Sequence, residues 1–232
     1  MFKEFYKDYM EDKIKLNKLN LVGLISAIIV FAGVFGFIYE FIFYFINSGF
    51  KTFYYRGSNF LPWINIYATG SIMILLLTYK IKKKPILVFI ISMLTTGILE
   101  YFSGYFMYKF NGGIRCWDYR HEILSKINID GFVCLRSVLI FGLSALLLMY
   151  LVLPLFIYVF KKSNKKVLQI ICIVICSIFL LDEFYNLFIA DMLNTKRAHE
   201  VYESIGFKYM DYYKKIVLVS PKLAYEYLDN DY

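Results

Sequence analysis

The stretch LVGLISAIIVFAGVFGFIYEFIFYFI, residues 21–46, carries a single charged side chain, Glu40. A helix that crosses the hydrocarbon core of a bilayer needs about 20 consecutive, mainly apolar residues. Because hydrocarbon offers no hydrogen-bond partners, the backbone of such a stretch must pair within its own helix. Residues 21–46 therefore predict a transmembrane helix, and they set the fold class for the rest of the chain.

Four further apolar stretches of comparable length follow, namely Pro62–Tyr79, Pro85–Tyr108, Phe132–Phe160 and Val167–Ala190. Apolar residues make up 59% of the 232 residues, against about 45–50% in soluble domains. We therefore predict an all-α fold, a polytopic membrane helix bundle with five transmembrane helices over residues 21–190. The lipid bilayer is the first partner that this composition predicts.

The two ends of the chain differ in composition from the apolar spans. Residues 1–20 mix Lys with acidic residues and precede an apolar run that has no cleavage site. This pattern favours an amphipathic leader ahead of an uncleaved first span, with plain disorder as the alternative. Residues 191–232 are rich in Tyr and in charge, and they predict a polar and aromatic C-terminal tail at the membrane interface.

Lysine clusters near the span ends predict the orientation. Lys residues are dense before the first span and in the short loops at residues 79–85 and 161–166. Cytoplasmic loops carry an excess of Lys and Arg. We therefore expect a multi-pass protein of the bacterial cell membrane with a cytoplasmic N-terminus. The connector at residues 112–137 and the tail would then lie on the outer face.

Several partners and cofactors are disfavoured by the same sequence. The net charge is +8, but the lysines lie where topology needs them, so we expect no nucleic-acid partner. The chain has two His residues, neither at ligand spacing to a Cys or to the other His, so we expect no metal. We predict no cofactor. A phosphate-binding loop of the GxxxxGK[ST] type is absent from the sequence, so any ATPase would be a separate subunit.

Ionisable residues inside the predicted spans are the strongest indication of a functional site. Charged groups at mid-span are costly, and in membrane proteins they mark solute pathways or buried pairs. With a rise of about 1.5 Å per residue, Glu40, Glu100 and the pair Asp182–Glu183 lie about 20–28 Å from their cytoplasmic helix ends. Arg136 reaches the same level from the outer end. We predict that these groups line one polar cavity, with an Arg–carboxylate network that only joins the helices as the alternative.

The connector GGIRCWDYRHEILSKINIDGFVCLRS, residues 112–137, would cover this cavity as a lid or outer wall. Trp117 and Tyr119 supply amphipathic rings, and Asp118 supplies a hydrogen-bond acceptor. Asn128 and Gly131 predict a turn into the fourth helix. A solvated loop position is the more ordinary interpretation of His121 than a catalytic base.

An ordered series of short motifs resembles the type IV ABC-transporter permease family, the CmpB-like membrane proteins. The motifs are YE (39–40), RG (56–57), a P…IY..G pattern (62–70), EY (100–101), WDY (117–119) and N..G..C..S (128–137), with Gly142, Pro154 and Asp182 beyond them. The chain departs from the family's GPxxPIYGxG pattern at Leu61, Asn65 and Ala68. The resemblance adds Arg56 and Tyr67 to the candidate site.

The candidate substrate-binding residues are therefore Glu40, Arg56, Tyr67, Glu100, Trp117, Asp118, Tyr119, Asn128, Arg136 and Asp182. The leading hypothesis is a permease-type membrane protein that binds or translocates a small polar or amphiphilic solute through an outer-facing cavity. Two alternatives remain open, a membrane-embedded enzyme acting on a lipid or cell-envelope substrate and an accessory or scaffold subunit for another membrane partner. No residue is assigned a catalytic role.

Overall fold

The computed structural model describes residues 2–47, 50, 55–57, 59–110, 117–120, 127–162 and 166–206. His121, the other lid residues at 112–116 and 122–126, and the tail beyond residue 206 lie outside the described residues. In chain order the helices and strands are α1 (Phe2–Met10), α2 (Lys18–Asn47), α3 (Asn65–Thr78), α4 (Pro85–Phe110), β1 (Asn128–Ile129), β2 (Val133–Cys134), α5 (Leu135–Leu147), α6 (Leu153–Lys162), α7 (Lys166–Phe184), α8 (Ala190–Met192) and α9 (Ala198–Ser204).

Two π-helical segments join some of these helices into longer rods. Leu148–Val152 links α5 to α6, and Tyr185–Ile189 links α7 to α8. Four helical runs are long and apolar enough to cross a membrane: Lys18–Ile46, Pro85–Lys109, Leu135–Lys162 and Lys166–Met192. Helix α3 continues through a 3₁₀ turn, Tyr79–Ile81. The resulting apolar helix, Asn65–Ile81, is shorter than these four runs. The all-α membrane fold is therefore confirmed with four candidate spans. The predicted count of five is not confirmed, because the second predicted span is this shorter helix.

Two predicted spans begin later than the sequence suggested. The second was expected from Pro62, but its helix starts at Asn65, because the backbone of Ile64 is extended and its N–H donates to the Gly33 carbonyl at 3.0 Å. The fourth was expected from Phe132, but that residue lies in a hairpin turn and the helix starts at Leu135. In both cases the residues before the helix make non-helical backbone hydrogen bonds, so the first predicted turn is not helical.

The helices pack as a ring with one helix outside it. Helix α2 packs against α3 and α6, α3 against α4, and α4 against α5, so the rod formed by α5 and α6 closes the ring. Helix α7 packs along the outer side of α2. Many large apolar side chains on α2, α4, α5 and α7 are exposed, as expected for surfaces that face lipid.

A short hairpin starts the α5 rod. Strands β1 and β2 pair antiparallel, and both central residues of the turn, Asp130 and Gly131, have positive φ (51° and 70°). This is the backbone that a type I′ turn requires. Cys134 then caps α5, because its thiol accepts from the Ser137 N–H while the Ser137 hydroxyl accepts from the Cys134 N–H.

The leader helix α1 packs on α6 and ties itself to the first π segment. Tyr9 is 1% exposed, and its hydroxyl donates to the Met149 carbonyl at 2.8 Å. That carbonyl needs an outside donor, because the Leu153 N–H binds the Leu148 carbonyl instead and Pro154 has no N–H. A side chain from the start of the chain thus completes the backbone pairing of a helix 140 residues away.

Lys82 anchors the same end of the bundle, which we call the leader end. The residue is 1% exposed, and its ammonium pairs with Asp12 and lies 3.8 Å from the ring centre of Tyr79. Tyr150 donates to the Lys82 carbonyl at 2.6 Å. Lys82 lowers the pKa of Asp12 below its usual range, chiefly through their hydrogen bond. Both the leader helix and the turn that follows it are therefore packed against the bundle.

Candidate functional site

A cavity of about 500 Å³ opens at the opposite end of the bundle, which we call the cavity end. Helices α2, α3, α4, α5 and α7, the loop before α3, and Trp117 and Tyr119 all contribute to its wall. The charged and polar lining residues are Glu40, Arg56, Asn59, Asn65, Thr69, Glu100, Ser103, Arg136, Ser137 and Glu183, and the aromatic ones are Tyr39, Phe43, Tyr44, Tyr67, Phe106, Trp117, Tyr119 and Phe141. Charged and aromatic groups from distant segments thus surround one space.

Glu40 pairs with the first of two arginines in the wall. The Arg56 Nε donates to Glu40 Oε2 at 2.7 Å, and the Tyr67 hydroxyl donates to Oε1 at 3.2 Å. Arg56 is 4% exposed, and its guanidinium lies 4.4 Å from the ring centre of Tyr44. Arg56 lies outside the predicted spans, and only the family resemblance added it to the candidate site. In the structure its loop folds inward, so a second arginine balances part of the acidic charge.

The ring of Tyr67 approaches Glu40 only because α2 has a glycine at the point of contact. A Cβ added at Gly36 would overlap the Tyr67 ring, far inside van der Waals contact. Gly36 therefore permits close packing of α3 against α2.

Glu100 is held by two hydroxyl groups. The Tyr119 hydroxyl donates to Oε1 at 2.5 Å, and the Ser137 hydroxyl donates to Oε2 at 2.7 Å. Glu100 is 3% exposed. These bonds connect helix α4 to residues 117–120, which we call the covering segment, and to the first turn of α5. Glu100 therefore stands where three parts of the wall meet.

Arg136 contacts the same aromatic region from α5. Its Nη1 donates to the Tyr39 hydroxyl at 3.2 Å. Its guanidinium lies 4.8 Å from the ring centre of Phe43 and 5.6 Å from that of Tyr119. The positive charge thus rests against ring faces, an arrangement that stabilises a cation in partly desolvated surroundings.

Asp182 and Glu183 are neighbours on α7 with different roles. Asp182 accepts from the backbone N–H groups of Phe60 and Leu61, both at 3.0 Å, so it fixes the loop before α3. Glu183 accepts from the side-chain amides of Asn59 at 2.9 Å and Asn65 at 2.7 Å, and it lines the cavity. The site prediction chose Asp182, whereas the residue on the wall is Glu183.

Helix α9 holds the outside of the same loop. The ring of Tyr202 stacks on Tyr55 with 4.4 Å between centres, and its hydroxyl donates to the Phe60 carbonyl at 2.5 Å. Burial raises the pKa of Tyr55 above its ordinary value, and a hydrogen bond with Tyr202 adds to this. The described beginning of the C-terminal tail is therefore part of the fold at the cavity end.

The covering segment is fixed by the hairpin. Trp117 donates from Nε1 to the Phe132 carbonyl at 2.9 Å, and the Tyr119 N–H donates to the Gly131 carbonyl at 2.8 Å. Between them, Asp118 is fully buried and pairs with Arg120 at 2.5 Å. The two aromatic rings consequently face the cavity, while the acidic side chain points into its own ion pair.

Seven of the ten predicted site residues line the cavity, and three do not. Those that line it are Glu40, Arg56, Tyr67, Glu100, Trp117, Tyr119 and Arg136. Asp118 is occupied by Arg120, Asp182 binds loop N–H groups, and Asn128 accepts from the Gly131 N–H at 2.9 Å inside the hairpin turn. The structure gives these three side chains supporting positions behind the lining.

Sequence reasoning missed Asn59 and Asn65, and it placed Glu183 at the cavity level without including it among the ten candidate residues. Asparagines in a loop and at a helix start are common turn residues, so nothing in the sequence assigned the first two to a site. Glu183 belonged to a recognised acidic pair, but the choice within the pair depends on which face of α7 meets the loop. Among the described residues, no group of three or more His, Cys, Asp and Glu side chains is arranged to hold a metal.

Comparison with protein families identifies the chain. The model of the family described as "Putative ABC-transporter type IV" matches residues 27–187, which is more than half of the sequence. The chain therefore belongs to this family, as its motifs predicted, and it is an integral membrane protein of a transport-related class. Comparisons with curated proteins and with solved structures found no match.

Proposed function

We propose that this member of the type IV ABC-transporter family binds or translocates a small polar or amphiphilic solute through the cavity. The observation that carries the proposal is the wall itself, in which charged side chains and aromatic rings from five helices surround about 500 Å³. Pockets for small molecules typically measure about 300–1,000 Å³ and combine apolar walls with a few fixed polar groups. Ionisable groups at membrane depth are expensive, so their convergence on one open space favours a solute site over random placement.

The proposal includes a five-span topology with the cavity on the outer side. The helix Asn65–Ile81 has 17 residues at most, about 25 Å at 1.5 Å per residue, which lies at the lower limit for a span. The lysines of residues 80–84, with Lys161, Lys162 and Lys166, are at the leader end, and the positive-inside rule favours a cytoplasmic location for them. The leader of residues 1–20 and the tail of residues 191–232 then lie at opposite interfaces.

We propose that a separate subunit supplies the energy for translocation. The sequence contains no phosphate-binding loop of the ATPase type. Family membership makes a separate ATPase subunit the favoured partner for active translocation. Solute binding by the isolated chain needs no such partner and can be tested first.

The test measures whether the cavity admits water and solute. Ser103 lines the cavity, whereas Ser92, one of the earlier residues of α4, is fully buried and its hydroxyl has no hydrogen-bond partner within the described structure. The purified protein in lipid nanodiscs would carry either Ser103→Cys or Ser92→Cys. A water-soluble thiol reagent should modify the Ser103→Cys variant rapidly and the Ser92→Cys variant no faster than the parent protein.

A second arm of this experiment tests binding. A low-molecular-weight fraction of cell extract, prepared by ultrafiltration, should slow modification of the Ser103→Cys variant. Equal modification rates at the two positions would contradict an open cavity. Rapid modification that no component of the extract slows would contradict a solute site.

A further inference from the structure

The cavity wall carries more negative than positive charge. Among its described lining residues, the carboxylates are Glu40, Glu100 and Glu183, whereas the guanidinium groups are those of Arg56 and Arg136. Within this described part of the wall, three acids face two permanently charged bases, so negative charge is in excess by one. Uncompensated charge in a partly desolvated site is costly, and a bound ion of opposite sign removes the cost.

Glu183 is the acid whose neighbours leave its charge uncompensated. Its carboxylate oxygens accept from Asn59 and Asn65, which are neutral donors. In the described part of the chain it has no ion pair, and Asp182 beside it carries the same sign. Glu40, by comparison, contacts Arg56 directly. On the α7 side of the cavity, the described structure therefore has a carboxylate with no cation beside it.

Asn59 adds a second unsatisfied acceptor at the same place. The residue lines the cavity and is 1% exposed. Its Nδ2 is directed to Glu183 Oε2 and to the Trp63 carbonyl, whereas its Oδ1 has no hydrogen-bond partner within the described structure. Exchanging the amide O and N would not help, because both neighbours of Nδ2 are acceptors. A buried acceptor without a partner costs about 1–3 kcal/mol.

We propose that the cavity binds an organic cation that carries a protonated amine. This inference rests on the proposed function and names its substrate class. The ammonium would donate hydrogen bonds to the Glu183 carboxylate and supply a positive charge there. A rotation of the Asn59 side chain would let the ammonium also reach Oδ1, which is shielded from solvent in the unliganded cavity. The apolar part of the ligand would lie against the aromatic wall, which includes Trp117, Phe106 and Phe141.

The arginines do not favour an anionic ligand to the same degree. Arg56 is in a short pair with Glu40. Arg136 donates to Tyr39 and lies against the rings of Phe43 and Tyr119. Both guanidinium groups thus have partners in the wall, whereas Glu183 and Asn59 have unmet acceptor capacity. A neutral ligand would leave the wall's excess charge unchanged.

The experiment compares three probes of one shape on the protein in lipid nanodiscs. Isothermal titration calorimetry would be run with phenethylamine, 2-phenylethanol and 3-phenylpropionate, which are cationic, neutral and anionic. The unmodified protein should bind the amine at one site per chain, with the alcohol and the acid at least tenfold weaker. This ranking needs no variant, so it remains decisive if a substitution prevents folding.

Two variants locate the site. Glu183→Gln should weaken amine binding tenfold or more, whereas Glu203→Gln, on the exposed face of α9, should leave it unchanged. Equal or tighter binding of the alcohol or the acid would overturn the inference while leaving the proposed function intact. Absence of amine binding would also overturn it, and the proposed function would fail with it only if cell extract gave no protection of the Ser103→Cys variant. Full amine affinity in Glu183→Gln would overturn the assignment to this carboxylate.

Discussion

The two ends of the bundle both bury a cationic side chain, but in different surroundings. At the leader end Lys82 is enclosed by Asp12 and the rings of Tyr9 and Tyr79, and one acid matches one base. At the cavity end Arg56 is buried to a similar degree, but its partner Glu40 is on the wall of a cavity that is also lined by further acids. Buried charge alone therefore does not indicate a binding site. Under the proposal, a binding site is expected where charge in excess faces an open space, as at the cavity end.

The comparison predicts the largest stability loss for a change at the leader end. Asp12→Asn removes the charge partner of Lys82, which is 1% exposed and cannot reach bulk water where it stands. Hydrogen bonds to charged groups contribute about 1.5–3 kcal/mol, so the free energy of unfolding should fall by that amount and the melting temperature with it. Asp8→Asn, in the helix just before this turn, is the control and should have little effect, because Asp8 is exposed.

The pH dependence of the same pair gives an independent check. The folded-state pKa of Asp12 is held below its ordinary value by the hydrogen bond with Lys82. A lowered pKa contributes stability that is fully present above the unfolded value and is lost as pH falls through the folded value. The difference in melting temperature between the unmodified protein and Asp12→Asn should therefore be constant from pH 7 to about pH 5 and shrink below about pH 4. A difference that persists at low pH would show that the charge is not responsible.

The second-largest loss of stability is expected for a substitution at the cavity end. Gly36→Ala would place a methyl group inside the Tyr67 ring, whereas Gly70→Ala, on the facing helix, would meet nothing closer than 3.7 Å. Overpacking costs about 1–3 kcal/mol, so Gly36→Ala should lower the melting temperature and weaken ligand binding by moving Tyr67 from Glu40. Gly70→Ala should be neutral or stabilising by up to about 1 kcal/mol. Equal effects of the two substitutions would contradict the packing described here.

A smaller loss is expected for Tyr9→Phe at the leader end. This change removes the hydroxyl that serves the Met149 carbonyl, while the ring stays in place. A single hydrogen bond of this kind contributes about 1 kcal/mol net. Tyr6→Phe is the matched control, because Tyr6 makes no hydrogen bond in the described structure. Thermal melting of both variants should separate them, and amine binding should be unchanged in each. Loss of binding in Tyr9→Phe would show that the two ends are not independent.

Hydropathy and helix rise predicted much of this architecture from the sequence. The apolar run at residues 21–46 defined α2, and counting about 1.5 Å per residue brought Glu40, Glu100 and Arg136 to one level. Those quantities depend only on neighbours along the chain. The sequence could not choose Glu183 over Asp182, because that choice depends on where the 55–64 loop docks.

The leader end shows the same limit. The bond from Tyr9 to Met149 joins the first helix to a π segment whose position depends on Pro154 and on the registry of the α5–α6 rod. Hydrophobic periodicity carries no information about such a pairing. The hairpin before α5 is a similar case. Its apolar residues continue the hydrophobic pattern of the predicted span, whereas its turn geometry keeps them out of the helix.

Fluorescence of Trp117 tests most directly whether the cavity end is a binding site. The chain has two tryptophans. Trp117 lines the cavity, whereas Trp63 is 4% exposed and packs on Phe179. Phenethylamine would be titrated into the unmodified protein, Trp63→Phe and Trp117→Phe in nanodiscs. A saturable change in emission should appear in the first two and disappear in Trp117→Phe. A response that persists in Trp117→Phe, or that is absent from all three proteins, would contradict an amine site at the cavity end.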